Sequence, residues 1–139
     1  MNSFSVNELS VGQSAEMLRT VSEGDLYVYA GVTGDYNPVH LDAEFAAKSM
    51  FGERIAHGML SVGFISAVLG TQLPGVGCIY MSQEMKFRAP VKIGDTIRTV
   101  VTVAEINSEK GRVTMKTECF NQDGTLVVDG TALIKPVVK

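Results

Sequence analysis

Asp35 and His40 stand five residues apart in Thr33-Gly34-Asp35-Tyr36-Asn37-Pro38-Val39-His40, and His40 is one of only two histidines in the chain. A carboxylate and a neutral imidazole facing one cavity can activate a water molecule. The acid takes a proton if it is oriented and partly desolvated, and the histidine holds the same water or shuttles its proton. A spacing of five does not bring two side chains together on a regular helix or strand. Pro38 fixes its own φ and pushes Asn37 toward extended geometry, so a bend at Asn37-Pro38 could turn both groups to one place. The same residues are also ordinary turn formers, with Asp35 and Asn37 making side-chain turns and His40 a satisfied core histidine. The octapeptide alone leaves both readings open.

A second group of interest is Gly58, which follows the other histidine, His57. It opens HGMLSVGFISAVLGTQ, His57 to Gln72, a segment apolar almost all round. At a helix start the backbone amides are unpaired and the dipole favours negative charge. A residue without a side chain there lets an oxygen come close, although a simple spacer role is the alternative. His57 is expected to be structural. A helix without a polar face is expected to be buried, and Gly63, Ser66, Ala67 and Gly70, at spacings of three and four, suggest one side pressed against backbone. Between Glu53 and Glu84 there is no Asp or Glu, so this helix carries no carboxylate base.

The elements that must position these groups follow from pattern. A short strand is expected near Ser14 to Thr20, then a helix with Ser22 as N-cap and Gly31 near its end. Asp42 is placed to cap a short helix that stops before Gly52. From about Cys78 the sequence reads as strand after strand: CIYMSQEMKFRAPV, DTIRTVVTVAEINSE, GRVTMKTECFNQ and TLVVDGTALIKPV. The segments are rich in Val, Thr and Ile. Gly94-Asp95, Glu109-Lys110-Gly111 and Gln122-Asp123-Gly124 punctuate them, which predicts an antiparallel meander. One long buried helix covered by one antiparallel sheet gives an α+β architecture.

Composition removes several classes of function. The 139 residues suit a single domain, 1–139. A net charge of -3 argues against nucleic-acid binding, which favours basic surfaces. No window approaches ~18 uninterrupted apolar residues, so no membrane span is expected. The first residues, MNSFSVNELSVGQ, lack the basic start and apolar core of a signal peptide. Cys78 and Cys119 are two scattered thiols, which fits a reducing, cytoplasmic setting. No Cys or His pair stands at ligand spacing, so no metal site is expected.

The stretch from Tyr29 to His40, with Ala46 six residues on, resembles the hydratase-2 motif of MaoC-like R-specific enoyl-CoA hydratases. The likeness continues through Arg54-Ile55-Ala56-His57-Gly58-Met59-Leu60, then Phe87-Arg88-Ala89-Pro90-Val91 with Gly94-Asp95, in the same order along nearly the whole chain. It implies the hot-dog fold, a five-stranded antiparallel sheet wrapped around a long central helix. It also implies addition of water across C2–C3 of a trans-2-enoyl-CoA, giving the (R)-3-hydroxyacyl-CoA. Asp35 would take a proton from the water and His40 would help deliver one to C2. Asn37 would support the loop, and Gly58 would donate its amide to the thioester oxygen. Met59, Ser66 and Arg88 are placed with the substrate, Ser66 in the acyl pocket, with Lys86 and Lys92 further candidates for coenzyme A phosphates. No cofactor is implied beyond the coenzyme A thioester itself. The resemblance also implies a homodimer whose active site takes acid and base from one chain and Gly58 from the other. Rival readings are a dehydratase acting on acyl carrier protein, a hot-dog thioesterase, and a non-catalytic domain that binds acyl thioesters.

Overall fold

Alternating Val, Ile and Thr between Thr96 and Asn107 form the longest strand, β3, in the computed structural model, which describes all of residues 1–139. The alternation turns Ile97, Thr99, Val101 and Val103 inward, as the period of two requires. Two more strands follow as hairpins, β4 (Arg112–Phe120) and β5 (Leu126–Lys135), each antiparallel to the one before. The meander ends there. Strand β1 (Ser14–Thr20) pairs with β3, while β2 (Ile79–Phe87) pairs with β5 on the far side, giving the order β1-β3-β4-β5-β2.

The expected hairpin at Gly94-Asp95 is therefore a crossover. After β2 the chain passes over the end of the sheet, where Val91 O accepts from Ala56 N at 2.7 Å. Asp95 then fixes the arrival point at β1. Its carboxylate accepts from Lys92 N and Gln122 Nε2, both at 2.9 Å, and its carbonyl accepts from Val21 N at 2.8 Å. These bonds tie the turn to the end of β1, so β3 starts beside β1 and leaves β2 to close the opposite edge.

The central helix, α4 (Gly58–Thr71), lies against the inner face of this sheet. Ser61, Val62, Phe64, Ile65, Val68 and Leu69 are buried. All but Ser61 join Ile97, Val101, Val113, Met115 and Ile134 in one core of 21 buried residues. Each large side chain so buried contributes roughly 1.5–3 kcal/mol. The expectation of burial all round is corrected. Gly63, Ser66 and Gly70 are exposed, and a methyl added to either glycine would meet nothing within 4 Å. One sheet layer covers only the side of the helix that faces it.

Helix α1 (Glu23–Thr33) begins at Ser22, whose hydroxyl accepts from Asp25 N in a capping box. It ends at Thr33 with Gly34 as C-cap, so Gly31 lies near the end as expected. Gly31 stays helical, and Gly34, at φ 81, adopts the left-handed conformation that lets its amide bond to Ala30 O. Two short pieces follow, α2 (Pro38–Leu41) and α3 (Ala43–Ala47), the second capped by Asp42 as expected.

Candidate active site

The bend at Asn37-Pro38 does what its residue types suggest. Asn37 is the N-cap of α2 and its side chain accepts from Val39 N at 3.3 Å, while Pro38 takes the first helical position. Within this single turn His40 faces inward and is 8% exposed. Three groups fix it. Its Nδ1 lies 2.8 Å from Ile55 O, its own carbonyl accepts from Arg54 Nε at 2.7 Å, and its amide reaches Asn37 O at 3.0 Å. A carbonyl only accepts, so Nδ1 carries the hydrogen and Nε2 presents a lone pair. Burial pushes the His40 pKa below the ordinary histidine value, against the opposing bond to Ile55 O and the Asp35 charge.

Asp35 sits just beyond Gly34 with its carboxylate accepting from Asn37 N at 3.2 Å. One oxygen of that carboxylate and one ring nitrogen from each of His40 and His57 all lie within 4.8 Å of one another. Two hydrogen bonds of ~2.8 Å through one water span such a separation. The sequence expectation that Asp35 and His40 share a place is met in geometry. The expected desolvation of Asp35 is not, because its loop is exposed on this chain.

His57 proves to be more than a helix-start residue. It is 2% exposed and its ring lies between Tyr29, with centroids 4.4 Å apart, and His40, at 3.9 Å. Its Nε2 is 3.0 Å from Asp35 O, and its Nδ1 is buried without a partner. The cluster of Asp35, His40 and His57 has the residue types of a metal centre. The two rings are stacked at 30°, however, so their in-plane lone pairs run side by side and do not converge on one ion. The arrangement suits a water better than a cation.

At the start of α4 no side chain caps the helix, and the amides of Gly58 and Met59 find no acceptor within the chain. Gly58 and His40 line the same cavity of about 560 Å³. The resemblance implies that Gly58 serves the acid and base of the other chain; within one chain it already shares a cavity with His40. His57 stacks on His40, which brings the helix start to the same chain's histidine. The missing side chain of Gly58 also has a local reason, since a methyl there would come within 2.7 Å of the Phe87 ring.

The cavity has an apolar floor of Ala56, Val91 and Val128 with the buried hydroxyl-bearing Ser61, and a more open rim that includes Met59, Phe87 and Arg88. Of the expected substrate contacts, Met59 and Arg88 lie on the wall of this cavity. Arg88 is also held by Asp129, with Nε at 2.8 Å from its carboxylate. Ser66 does not line this cavity, because its place on α4 faces away from the sheet. Asn37 does not line it either, being occupied in capping α2. Lys86 is absent from its wall, and Lys92 pairs with Glu53 at 3.6 Å. Sequence reasoning passed over Arg54, Ser61 and Phe87. Ser61 had a usable signal, since it stands three residues after Gly58 and so on the same helix face.

Residues 6–122 match the family model described as a MaoC like domain. An (R)-specific enoyl-CoA hydratase of Rhodospirillum rubrum is 50% identical over 127 residues, covering 91% of this chain and 88% of that protein. The structure of the R-hydratase PhaJ1 from Pseudomonas aeruginosa superposes with a TM-score of 0.92 at 50% identity, over 97% of this chain and 86% of that one. The (R)-hydratase from Aeromonas caviae, described as involved in PHA biosynthesis, gives 0.90 at 39% identity, over 93% and 98%. With the family model matched over most of its length and the fold shared with these hydratases, the chain belongs to the MaoC-like family of hot-dog hydratases and dehydratases.

Proposed function

We propose that the chain catalyses the reversible, R-specific hydration of trans-2-enoyl-CoA to (R)-3-hydroxyacyl-CoA. The observation that carries the reading is the approach of the Asp35 carboxylate and a His40 ring nitrogen to within 4.8 Å, beside a cavity that also exposes the free start of α4. One water bridges Asp35 and His40. As its oxygen bonds to C3, an O–H bond breaks, and the electron pair of C2=C3 moves through C2 toward the thioester oxygen. The amides of Gly58 and Met59 stabilise that oxygen, an effect worth about 3 kcal/mol per donor. His40 enters the step as an acceptor, because its hydrogen is on Nδ1 and directed at Ile55 O. It can hand a proton to C2 only after receiving one from the water. The step consumes no electrons from outside and calls for no cofactor or metal.

The thioesterase alternative is disfavoured by α4, which carries no carboxylate along its length. A dehydratase acting on acyl carrier protein shares the chemistry, and the net charge of -3 disfavours an acidic carrier as the natural partner. No helix is long and apolar enough to cross a membrane, which fits the cytoplasmic setting we assign. We assign a homodimer as well. Val28, Val32 and Tyr36 around the Asp35 loop are 67%, 81% and 64% exposed. The edge strand β2 also leaves Ile79 uncovered. A second copy over these surfaces would withdraw Asp35 from water.

Loss of the enoyl-thioester absorbance of crotonyl-CoA, without release of free thiol, is the expected result with purified protein. Thiol release would instead identify a thioesterase. Binding with neither signal would identify a non-catalytic domain.

A further inference from the structure

We propose that His57 is a positioning residue for this reaction: its ring clamps the main chain of Asp35 to the start of α4 and backs the ring of His40. The inference rests on the hydratase reading above.

The position is an unusual one for a histidine. At an N-cap, Ser, Asp or Asn would satisfy a free amide and add ~1 kcal/mol. His57 makes no such bond and leaves the helix start open. Its ring is turned away, between Tyr29 of α1 and His40 of α2, at centroid distances of 4.4 and 3.9 Å. Nε2 lies 3.0 Å from Asp35 O, and since a carbonyl only accepts, Nε2 carries the hydrogen. Nδ1 is then left buried with no partner, a loss of roughly 1–3 kcal/mol. A phenylalanine would keep the stack without that loss, so packing alone does not call for histidine here. What histidine adds over phenylalanine is a donor toward Asp35 from within an aromatic stack.

That donor joins three parts of the site through one side chain. The Asp35 carbonyl is held directly. The His40 ring is fixed by stacking on one side and by Ile55 O at Nδ1. The free amides of Gly58 and Met59 follow His57 in the chain. A shift of ~1 Å among such groups can cost on the order of 100-fold in rate. The groups facing His57 are Tyr29, Asp35 and His40, while Arg54, paired with Glu23, holds His40 from behind.

The test compares His57→Phe, which keeps the stack, with His57→Gln, which keeps a donor. With crotonyl-CoA, His57→Phe is expected to lose at least ~10-fold in kcat with KM within ~3-fold, and with an unchanged or higher melting temperature. His57→Gln should recover part of the loss. Wild-type kcat in His57→Phe, or a Gln variant poorer than the Phe variant, would overturn the proposal. A wild type without hydratase activity would overturn the functional reading instead. The clamp is then tested without substrate by the histidine ring ¹⁵N spectrum. The spectrum should show His57 protonated on Nε2, and protonation on Nδ1 would refute the clamp.

Discussion

Replacing Gly58 by alanine separates two explanations of why glycine opens the central helix. The added methyl would stand 2.7 and 2.9 Å from Cε1 and Cδ1 of Phe87. Carbon atoms pack at ~3.7 Å, so the ring must retreat by about 1 Å. Phe87 is 55% exposed and ends β2, which gives it room to turn. The cost to stability should be near the low end for overpacking, about 1 kcal/mol. The damage to catalysis should be larger. Phe87 lines the same cavity as His40 and Gly58, and a displaced ring crowds the thioester at the helix start. If the contact with one amide is lost, kcat/KM falls on the order of 100-fold. Because the methyl points at Phe87, the double variant Gly58→Ala/Phe87→Ala should regain at least ~10-fold over Gly58→Ala, a coupling of ~1.4 kcal/mol. Steady-state hydration of crotonyl-CoA for the four proteins, with melting curves, gives the cycle. Independent, multiplicative losses would show that the methyl acts on the substrate directly. Full activity in Gly58→Ala would refute the oxyanion assignment.

Other perturbations probe the acid–base pair and its supports. Asp35→Asn and His40→Ala should each lose at least ~100-fold in kcat while remaining folded, as read by circular dichroism. Arg54→Ala removes the donor to the His40 carbonyl, and should reduce kcat by ~10-fold or more with circular dichroism unchanged. Burial lowers the His40 pKa, so its Nε2 stays free at neutral pH, and the acid limb of kcat/KM should lie below the ordinary value of ~6.5. By the same sign, the unfolded chain binds the proton more readily than the folded one. Stability should therefore fall as the pH drops below ~6.5, and His40→Gln should flatten that slope. Burial pushes the Cys119 thiol up to about 11, so it should resist alkylation at pH 8 until the protein unfolds. Sedimentation should find a particle of twice the 14.9 kDa chain mass, with a charge placed at Met81 on the β2 edge weakening it.

The parts of the fold that local chemistry decides were legible in the sequence. Ser22 and Asp42 cap helices where their side chains predict, Asn37-Pro38 makes the bend, and β1 spans Ser14–Thr20. The pairing of β2 with β5 was not, because strand neighbours depend on long-range bonds such as those of Asp95, which no local pattern announces. The site was half legible. Asp35 and His40 stand out by type and spacing, whereas the inward role of His57 arises from ring stacking between three separate elements. The exposed place of Ser66 was not legible, because a small residue on an apolar helix gives no sign of which side faces the sheet.

The most direct test of the central claim is the configuration of the product formed from crotonyl-CoA in water, resolved by chiral chromatography, for wild type and Asp35→Asn. One water held by Asp35 and His40 can reach only one face of the double bond. The wild type should give (R)-3-hydroxybutyryl-CoA alone, and the variant almost none. An (S) or racemic product, or an Asp35→Asn protein that turns over at the wild-type rate, would contradict that claim.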